Sequence, residues 1–146
     1  MKPKMKVEGF KDAERALMQL PKATAKATVR RILKKAAQPI ADAGRANAPS
    51  REGNLKASYG VGTRLTKRQG RMSRKESEVE VYVGPNDPAA VQTEFGNNHQ
   101  VAEPHLRPAW DSERRGALDT IKSEQMAEIE KSVARYAKRQ AKAGRK

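Results

Sequence analysis

Residues 76–85 read ESEVEVYVGP and decide the fold class of this chain. Apolar and polar side chains alternate along the stretch, with Val79, Val81 and Val83 on one side and Glu78, Glu80 and Tyr82 on the other. A period of two is typical of a β-strand with one buried face. The sequence Gly84-Pro85 ends the strand, so a clear strand lies in the middle of the chain.

A weaker strand pattern precedes it, from Leu55 to Thr63, where two glycines interrupt the alternation and indicate a bulge. The two strands are predicted to be antiparallel and joined by residues 64–75, RLTKRQGRMSRK, the basic connector. It is too long for a tight turn, which predicts a mobile loop or an extended hairpin tip. Its cations are Arg64, Lys67, Arg68, Arg71, Arg74 and Lys75.

Helical patterns lie on both sides of the strands. Residues 9–20 and 21–48 repeat apolar side chains at helical spacing, and Pro39 predicts a kink or a break in the longer helix. Downstream, residues 89–95 are predicted to form a third short strand, and residues from about 109 to 140 a last helix. This order predicts an α+β fold, in which a small antiparallel sheet of about three to four strands packs with two long helices.

The composition favours one small domain with a thin core. Residues 1–140 are expected to form the domain, and residues 141–146 a flexible basic tail. The chain carries a formal charge of +14, and only 22 of its 146 residues are Leu, Ile, Val or Phe. Such a core stabilises a lone monomer weakly, so we expect the chain to bury further surface against copies of itself or a partner.

Several classes of protein are excluded or disfavoured by the same composition. The chain has no cysteine, which excludes disulfides, zinc sites with thiolate ligands and thiol catalysis. Its first residues, MKPKMKVEGF, carry no apolar run and do not resemble a signal peptide. No stretch reaches the roughly 18 apolar residues of a membrane span.

Four short motifs, in this order along the chain, resemble those of a protein family from tailed bacteriophages. Its members typically carry stretches like ANAPVRTGNL, VGP, EFGT and PFLRPA. Their counterparts here are Ala46–Leu55, Val83–Pro85, Glu94–Gly96 and His105–Ala109. The chain resembles, over residues 8–135, the phage tail-completion or neck family, whose type member is the tenth gene product of a lambda-like siphophage. It departs from the pattern at Glu52 (usually Thr), at His105 (commonly Phe) and in its longer, more basic connector.

The resemblance implies a structural virion protein and not an enzyme. Members form rings, often of six or twelve identical subunits, around the DNA channel at the head–tail junction or the head-proximal end of the tail. The implied partners are further copies of the chain, neighbouring connector proteins, tail-tube or terminator proteins and, non-specifically, packaged DNA. The implied location is the virion, with the host cytoplasm during assembly. No cofactor, metal, membrane or small-molecule substrate is implied.

The segment TEFGNNHQVAEPHLRPAWD, residues 93–111, is the one candidate for a chemical site. His99, Glu103 and His105 could bind a metal or serve a small hydrolase. However, Pro104 prevents a regular helix there, and no further ligand converges in the sequence. The segment is better explained as a stiff connector that delivers the chain to the last helix. The predicted structural anchors are Pro49, Gly53, Leu55, Gly84, Phe95, Gly96, Leu106, Pro108 and Trp110.

The excess of basic residues leaves three interpretations open. The connector and the basic end of the last helix could contact phosphates without reading sequence, dock on an acidic protein, or be simply solvated. Arg107 is a further candidate, as a partner for a carboxylate across a subunit contact. A non-sequence-specific nucleic-acid-binding protein, acting as a monomer or dimer, is therefore the alternative to the ring-forming virion protein.

Overall fold

The computed structural model describes residues 10–51 and 53–144. In this part of the chain, six α-helices and two β-strands follow one another along the sequence. The elements are α1 (Phe10–Met18), α2 (Lys22–Asn47), α3 (Asn54–Ala57), β1 (Tyr59–Gly62), α4 (Lys67–Met72), β2 (Tyr82–Pro85), α5 (Ala89–Phe95) and α6 (Leu106–Ala143). The predicted α+β class, with a small antiparallel sheet and two long helices, is confirmed.

The two long helices form the body of the molecule. α2 packs along α6, and α1 covers the same end of the pair, where Ala13, Ile32 and Ile129 form one buried cluster. Inside the interface, Thr28 Oγ1 donates a hydrogen bond of 2.9 Å to Ser132 Oγ. Both hydroxyls are buried and paired, so the polar atoms do not weaken the helix contact.

The sheet closes the other end of α2. β1 pairs with β2 in antiparallel register, with Tyr59 opposite Pro85 and Gly62 opposite Tyr82. A second buried cluster lies beneath the sheet, and its members are Ala48, Leu55, Tyr59 and Ala90, with Leu106 packed against them. The described residues contain two strands rather than the three to four that were predicted.

The missing strand is a helix. Residues 89–95, predicted as a strand, form α5, because Asp87 Oδ1 accepts a hydrogen bond of 2.8 Å from Ala89 N–H at the helix start. The buried positions Ala90, Thr93 and Glu94 then follow helical spacing. The prediction was wrong because it relied on alternation over seven residues, too few to separate the two periods.

The two predicted strands are also shorter than expected. Asn54–Ala57 forms the helical turn α3, which follows Gly53 at a φ of +75°, so β1 begins only at Tyr59. β2 begins at Tyr82 rather than at Val79. The predicted loop at residues 64–75 contains α4, whose start is fixed by a capping box between Thr66 and Gln69.

The long helices are more continuous than the sequence suggests. α2 runs without a break through Pro39, whose ring lies on the exposed side of the helix. The opposite side, with Ile40 and Ala41, is buried, and this packing outweighs the lost backbone hydrogen bond. α6 begins at Leu106, three residues before the predicted start, and places Pro108 in the first turn, which tolerates proline.

Candidate functional site

The Glu94 carboxylate joins α5 to the beginning of α6. Its Oε2 accepts hydrogen bonds from the backbone N–H groups of His105 (2.8 Å) and Leu106 (2.9 Å). Its Oε1 accepts from the backbone N–H of Arg107 (3.1 Å) and from Arg107 Nε (2.9 Å). N–H groups in the first turn of a helix have no partner within that helix, so Glu94 caps α6 from a separate element.

The environment of Glu94 keeps it ionised. Burial by itself would raise the pKa of this carboxyl, which is 5% exposed. The hydrogen bonds from the His105, Leu106 and Arg107 backbones and from the Arg107 side chain outweigh burial and lower the pKa to about 2. The Glu94 carboxylate is therefore negatively charged at neutral pH, and four N–H donors hold it in place.

His105 and Tyr59 extend this junction into the core. The imidazole is 1% exposed, and its Nδ1 is hydrogen-bonded to the Tyr59 hydroxyl. The two rings meet edge to face, with centroids 5.6 Å apart. Burial and the Glu94 charge raise the pKa of Tyr59, so the phenol stays neutral. His105 thus links α6 to β1 within the core.

The three candidates for a metal or hydrolytic site are separated by this arrangement. His105 is buried, whereas Glu103 forms an ion pair of 2.9 Å with Arg51 on the surface. His99 is exposed in a turn in which its N–H donates to Asn97 Oδ1 (2.8 Å). Within residues 10–51 and 53–144, no group of His, Asp and Glu could hold a metal ion.

Arg107 is engaged within its own chain. Beside the bonds to the Glu94 carboxylate, its Nη2 donates to the Glu94 carbonyl (2.9 Å), and its guanidinium carbon lies 4.7 Å from the centre of the Phe95 ring. Glu94 of the same chain thus supplies one carboxylate to Arg107, and a carboxylate across a subunit contact stays a prediction. Arg107 orders the surface around Phe95.

Exposed apolar side chains lie on α5 and at the beginning of α6, near Arg107 in the sequence or in contact with it. Phe95 is 63% exposed, Val91, one turn before it on α5, is 61% exposed, and Trp110, one turn after Arg107 on α6, is 50% exposed. We call Val91, Phe95 and Trp110 the aromatic surface. Phe95 and Trp110 were predicted as anchors, but the core of a single chain does not bury them.

A second apolar surface lies along one side of the helix pair, between the first half of α2 and the middle of α6. A groove of about 640 Å³ opens between α1, α2 and α6, and apolar side chains make up most of its walls. We call it the apolar groove; its main members are Phe10, Leu17, Met18, Val29, Leu33 and Ile121. Met18 is 75% exposed at its rim. The described residues leave this groove open to solvent.

The remaining predicted anchors lie where the chain turns or packs. Gly96 has a φ of +74°, and a Cβ there would lie 2.8 Å from the backbone nitrogen of Ala102, so only glycine fits.

The other predicted anchors also lie at turns or in packed positions. Gly53 has a positive φ, and Pro49 is half-buried. Leu55 and Leu106 belong to the cluster beneath the sheet. At Gly84, with a φ of +149°, a Cβ would face the side chain of Leu106. Pro108 is exposed.

The six cations of the basic connector are exposed and lie around α4. None of them forms an ion pair with the described part of the chain. One acidic residue beyond the connector, Glu78, instead binds Lys22 (3.1 Å) and Lys26 (3.0 Å) at the start of α2. These ion pairs tie the segment that follows the connector to the beginning of α2.

The motifs that connect these features belong to a known group of phage proteins. A family described as "Bacteriophage HK97-gp10, putative tail-component" matches residues 11–96, more than half of the 146 residues. The chain belongs to this family. It is therefore a structural protein of a bacteriophage tail, and its place is the virion. No curated protein and no solved structure matches the chain. Among the described residues of this tail component, no helix is long and apolar enough to cross a membrane.

Two features of the tail component have no clear signal in its sequence. The pairing of Glu94 with residues 105–107 spans a connector whose path depends on Gly96 and Pro104. The EFG and LRPAW motifs mark both ends of the contact, but their spacing does not show that they meet. Likewise, Tyr59 lies in a strand pattern that does not reveal its partner His105, the residue before α6.

Proposed function

We propose that this tail component forms a homo-oligomeric ring, of six or twelve copies, at the head–tail junction or the head-proximal end of the tail. The ring would surround the DNA channel and join the tail to the head. Its partners would be further copies of the chain and the neighbouring connector, tail-tube or terminator proteins. Subunits would assemble from the host cytoplasm into the virion.

The open apolar groove is the observation that carries this proposal. The groove is lined by Leu17, Met18, Val29 and similar side chains. Covering it is favourable by about 25 cal/mol for each Å² of apolar surface that is removed from water. A chain with so few large apolar residues gains more from such a contact than a chain with a full core. The groove is therefore a favourable place for a second copy.

The aromatic surface is the complementary half of the contact. Trp110 and the groove residue Gln125 are 15 positions apart on α6, or about 22 Å at 1.5 Å per residue. The two apolar surfaces are thus different and well separated. A contact between different surfaces of identical subunits is head-to-tail, and it closes a ring when the rotation per subunit divides a full turn.

The test uses two exposed methionines of the described residues. Met18 lies at the rim of the groove, whereas Met72, which is 91% exposed, lies at the end of α4 away from it. Light scattering after size exclusion, with nuclease-treated protein at high salt, should give one discrete oligomer for the wild type. Met18→Glu should give a monomer, because it places a charge in the contact. Met72→Glu should leave the oligomer unchanged.

The outcomes separate this proposal from the alternative. A wild-type monomer at high protein concentration, unaffected by Met18→Glu, would contradict ring formation through the groove. If that monomer bound DNA tightly at low salt, the charge of +14 would favour a non-sequence-specific nucleic-acid-binding protein instead.

A further inference from the structure

A second cleft lies on the opposite side of α2 from the apolar groove. It has a volume of about 280 Å³ and runs between the beginning of α2 and the last third of α6. Its polar walls contain three arginines, and we call it the arginine cleft; its main members are Thr24, Arg31, Ser132, Arg135, Tyr136 and Arg139. No acidic side chain lines it. None of these arginines belongs to the basic connector.

Arg31 is held in a fixed position at the base of the cleft. Its Nη2 donates to Ser132 Oγ (2.9 Å) and to Thr28 Oγ1 (3.3 Å), and these two residues are 3% and 0% exposed. Glu128 Oε2 lies 3.8 Å from Arg31 Nε, an ion pair without a hydrogen bond. The guanidinium is therefore oriented by the two hydroxyls, and Glu128, which does not line the cleft, balances part of its positive charge.

Arg135 and Arg139 form the opposite wall. They are one turn apart on α6, both are exposed, and neither has an ion-pair partner among the residues that the structure describes. Tyr136, between them, adds a phenol to the lining. The first turn of α2, which reaches the cleft at Ala23 and Thr24, has no acidic side chain and no side-chain cap. The positive end of the α2 dipole thus adds to the three guanidinium charges.

We propose that the arginine cleft binds the phosphodiester backbone of double-stranded DNA. Guanidinium groups match phosphate oxygens with paired N–H donors, and phosphates repeat along a backbone at a spacing that several arginines can follow. Tyr136 is the single aromatic residue in the lining, too little for a platform on which successive bases stack, so the expected contacts go to phosphates and are independent of sequence. It is a different surface from the groove and the aromatic surface, so this inference does not require the ring to close.

The test removes two charges from the cleft and two from elsewhere. Arg135→Gln with Arg139→Gln lowers the charge of the cleft without touching buried atoms. Lys11→Gln with Arg15→Gln removes two charges at the same spacing from the exposed side of α1, outside the cleft and outside the groove lining. Binding of a short mixed-sequence duplex is measured by fluorescence anisotropy over a series of salt concentrations, with circular dichroism to verify that each variant folds.

The cleft variant should bind the duplex about tenfold more weakly at low salt. Its slope of log affinity against log salt should fall by roughly 2, because each neutralised phosphate contributes about 0.9. The α1 variant should keep the wild-type slope. Equal losses in both variants would overturn the proposal, since affinity would then follow net charge alone.

A second arm distinguishes DNA from an acidic protein. Polyglutamate is titrated against the same three proteins as a competitor of the duplex. Weak competition that does not depend on Arg135 and Arg139 is the expected result. Polyglutamate that binds more tightly than the duplex, and loses that binding in the cleft variant, would overturn the proposal and assign the cleft to an acidic polypeptide.

Discussion

At the scale of single residues, Glu94 has a large structural role that its neighbours in the sequence do not reveal. A glutamate beside an exposed phenylalanine would ordinarily be solvated. Here its carboxylate accepts from three consecutive backbone N–H groups, at His105, Leu106 and Arg107. The same charge holds Arg107 over Phe95. One side chain therefore fixes both the start of α6 and the shape of the aromatic surface.

Replacing Glu94 should expose this role as a pH-dependent stability. Because its pKa falls from an ordinary 4.5 to about 2 on folding, the stabilisation is fully present above pH 4.5 and is lost as the pH falls towards 2. The variant Glu94→Gln should unfold with a free energy lower by about 2–3 kcal/mol at pH 7, and by much less at pH 2.5. Urea titrations at both values measure the difference.

A matched control for this variant is Glu130→Gln, since Glu130 is exposed on α6 and forms no ion pair within the described residues. It should change the unfolding free energy little at either pH. If Glu94→Gln were as stable as Glu130→Gln at pH 7, the hydrogen bonds at the junction would not stabilise the fold.

At the scale of the elements, α2 is the support on which the others pack. It contacts α6 and α1 near its beginning and the sheet near its end. Contact with the sheet is close at Gly44, where an added Cβ would lie 2.8 Å from Cζ of Tyr59 and still nearer to Cε1. The Tyr59 ring cannot withdraw without breaking its bond to His105. A small residue at this point lets α2 and β1 meet.

The glycines of the two long helices should therefore respond in opposite ways to alanine. Gly44→Ala should destabilise the protein by about 1–3 kcal/mol, because the methyl group overlaps a fixed ring. Gly116→Ala should stabilise it by about 0.5–1 kcal/mol, because a Cβ on α6 meets nothing within 4 Å and alanine favours helix. Thermal denaturation of both variants checks the signs. An unchanged or higher melting temperature for Gly44→Ala would contradict the close packing of Tyr59 on α2.

The elements also show how far the sequence alone can lead. Long patterns were decisive: 26 residues of α2 and 38 of α6 carry enough helical turns to be unmistakable. Short patterns were not. The seven residues of α5 have as many apolar positions at spacing two as at spacing three or four, and their helical state depends on Asp87 and on packing beneath the sheet. Intrinsic propensity could not decide between strand and helix for these seven residues.

Of the candidate site, the sequence revealed the positions but not the pairings. It marked His105, Leu106 and Arg107 as one segment and Glu94 to Gly96 as another. It could not show that Glu94 accepts from Arg107 within the same chain, because that contact depends on the conformation of the connector between them. The arginine cleft, formed by residues about 105 positions apart, has no local signature at all.

At the scale of the whole molecule, the surface divides into regions of different chemistry. The apolar groove lies at one side of the helix pair, the arginine cleft at the other, and the aromatic surface at the beginning of α6. A subunit built in this way can meet identical neighbours through its apolar surfaces while its arginines face a polyanion. The proposed ring and the proposed DNA contact thus use separate parts of the chain.

If the groove is covered by a second copy, the stability of the protein must depend on its concentration. Mass action favours the folded, associated state, so the melting temperature of the wild type should rise as the protein concentration is raised. Met18→Glu should melt at a temperature that does not change with concentration, whereas Met72→Glu should follow the wild type. Scanning calorimetry over a hundredfold range of concentration measures this. A constant wild-type melting temperature would argue against the association.

The separation of the buried contacts along the chain has a consequence for synthesis on the ribosome. Tyr59 and His105 are 46 positions apart in the sequence, and Glu94 and Arg107 are 13 apart, whereas Thr28 and Ser132 are 104 apart. The half of the molecule around the sheet can therefore fold while the last part of α6 is still being translated. Until the last part of α6 has been translated, the beginning of α2 has α1 as a partner but lacks Ile129 and Ser132. A nascent chain of this protein is consequently most vulnerable to misassociation before this part of α6 emerges.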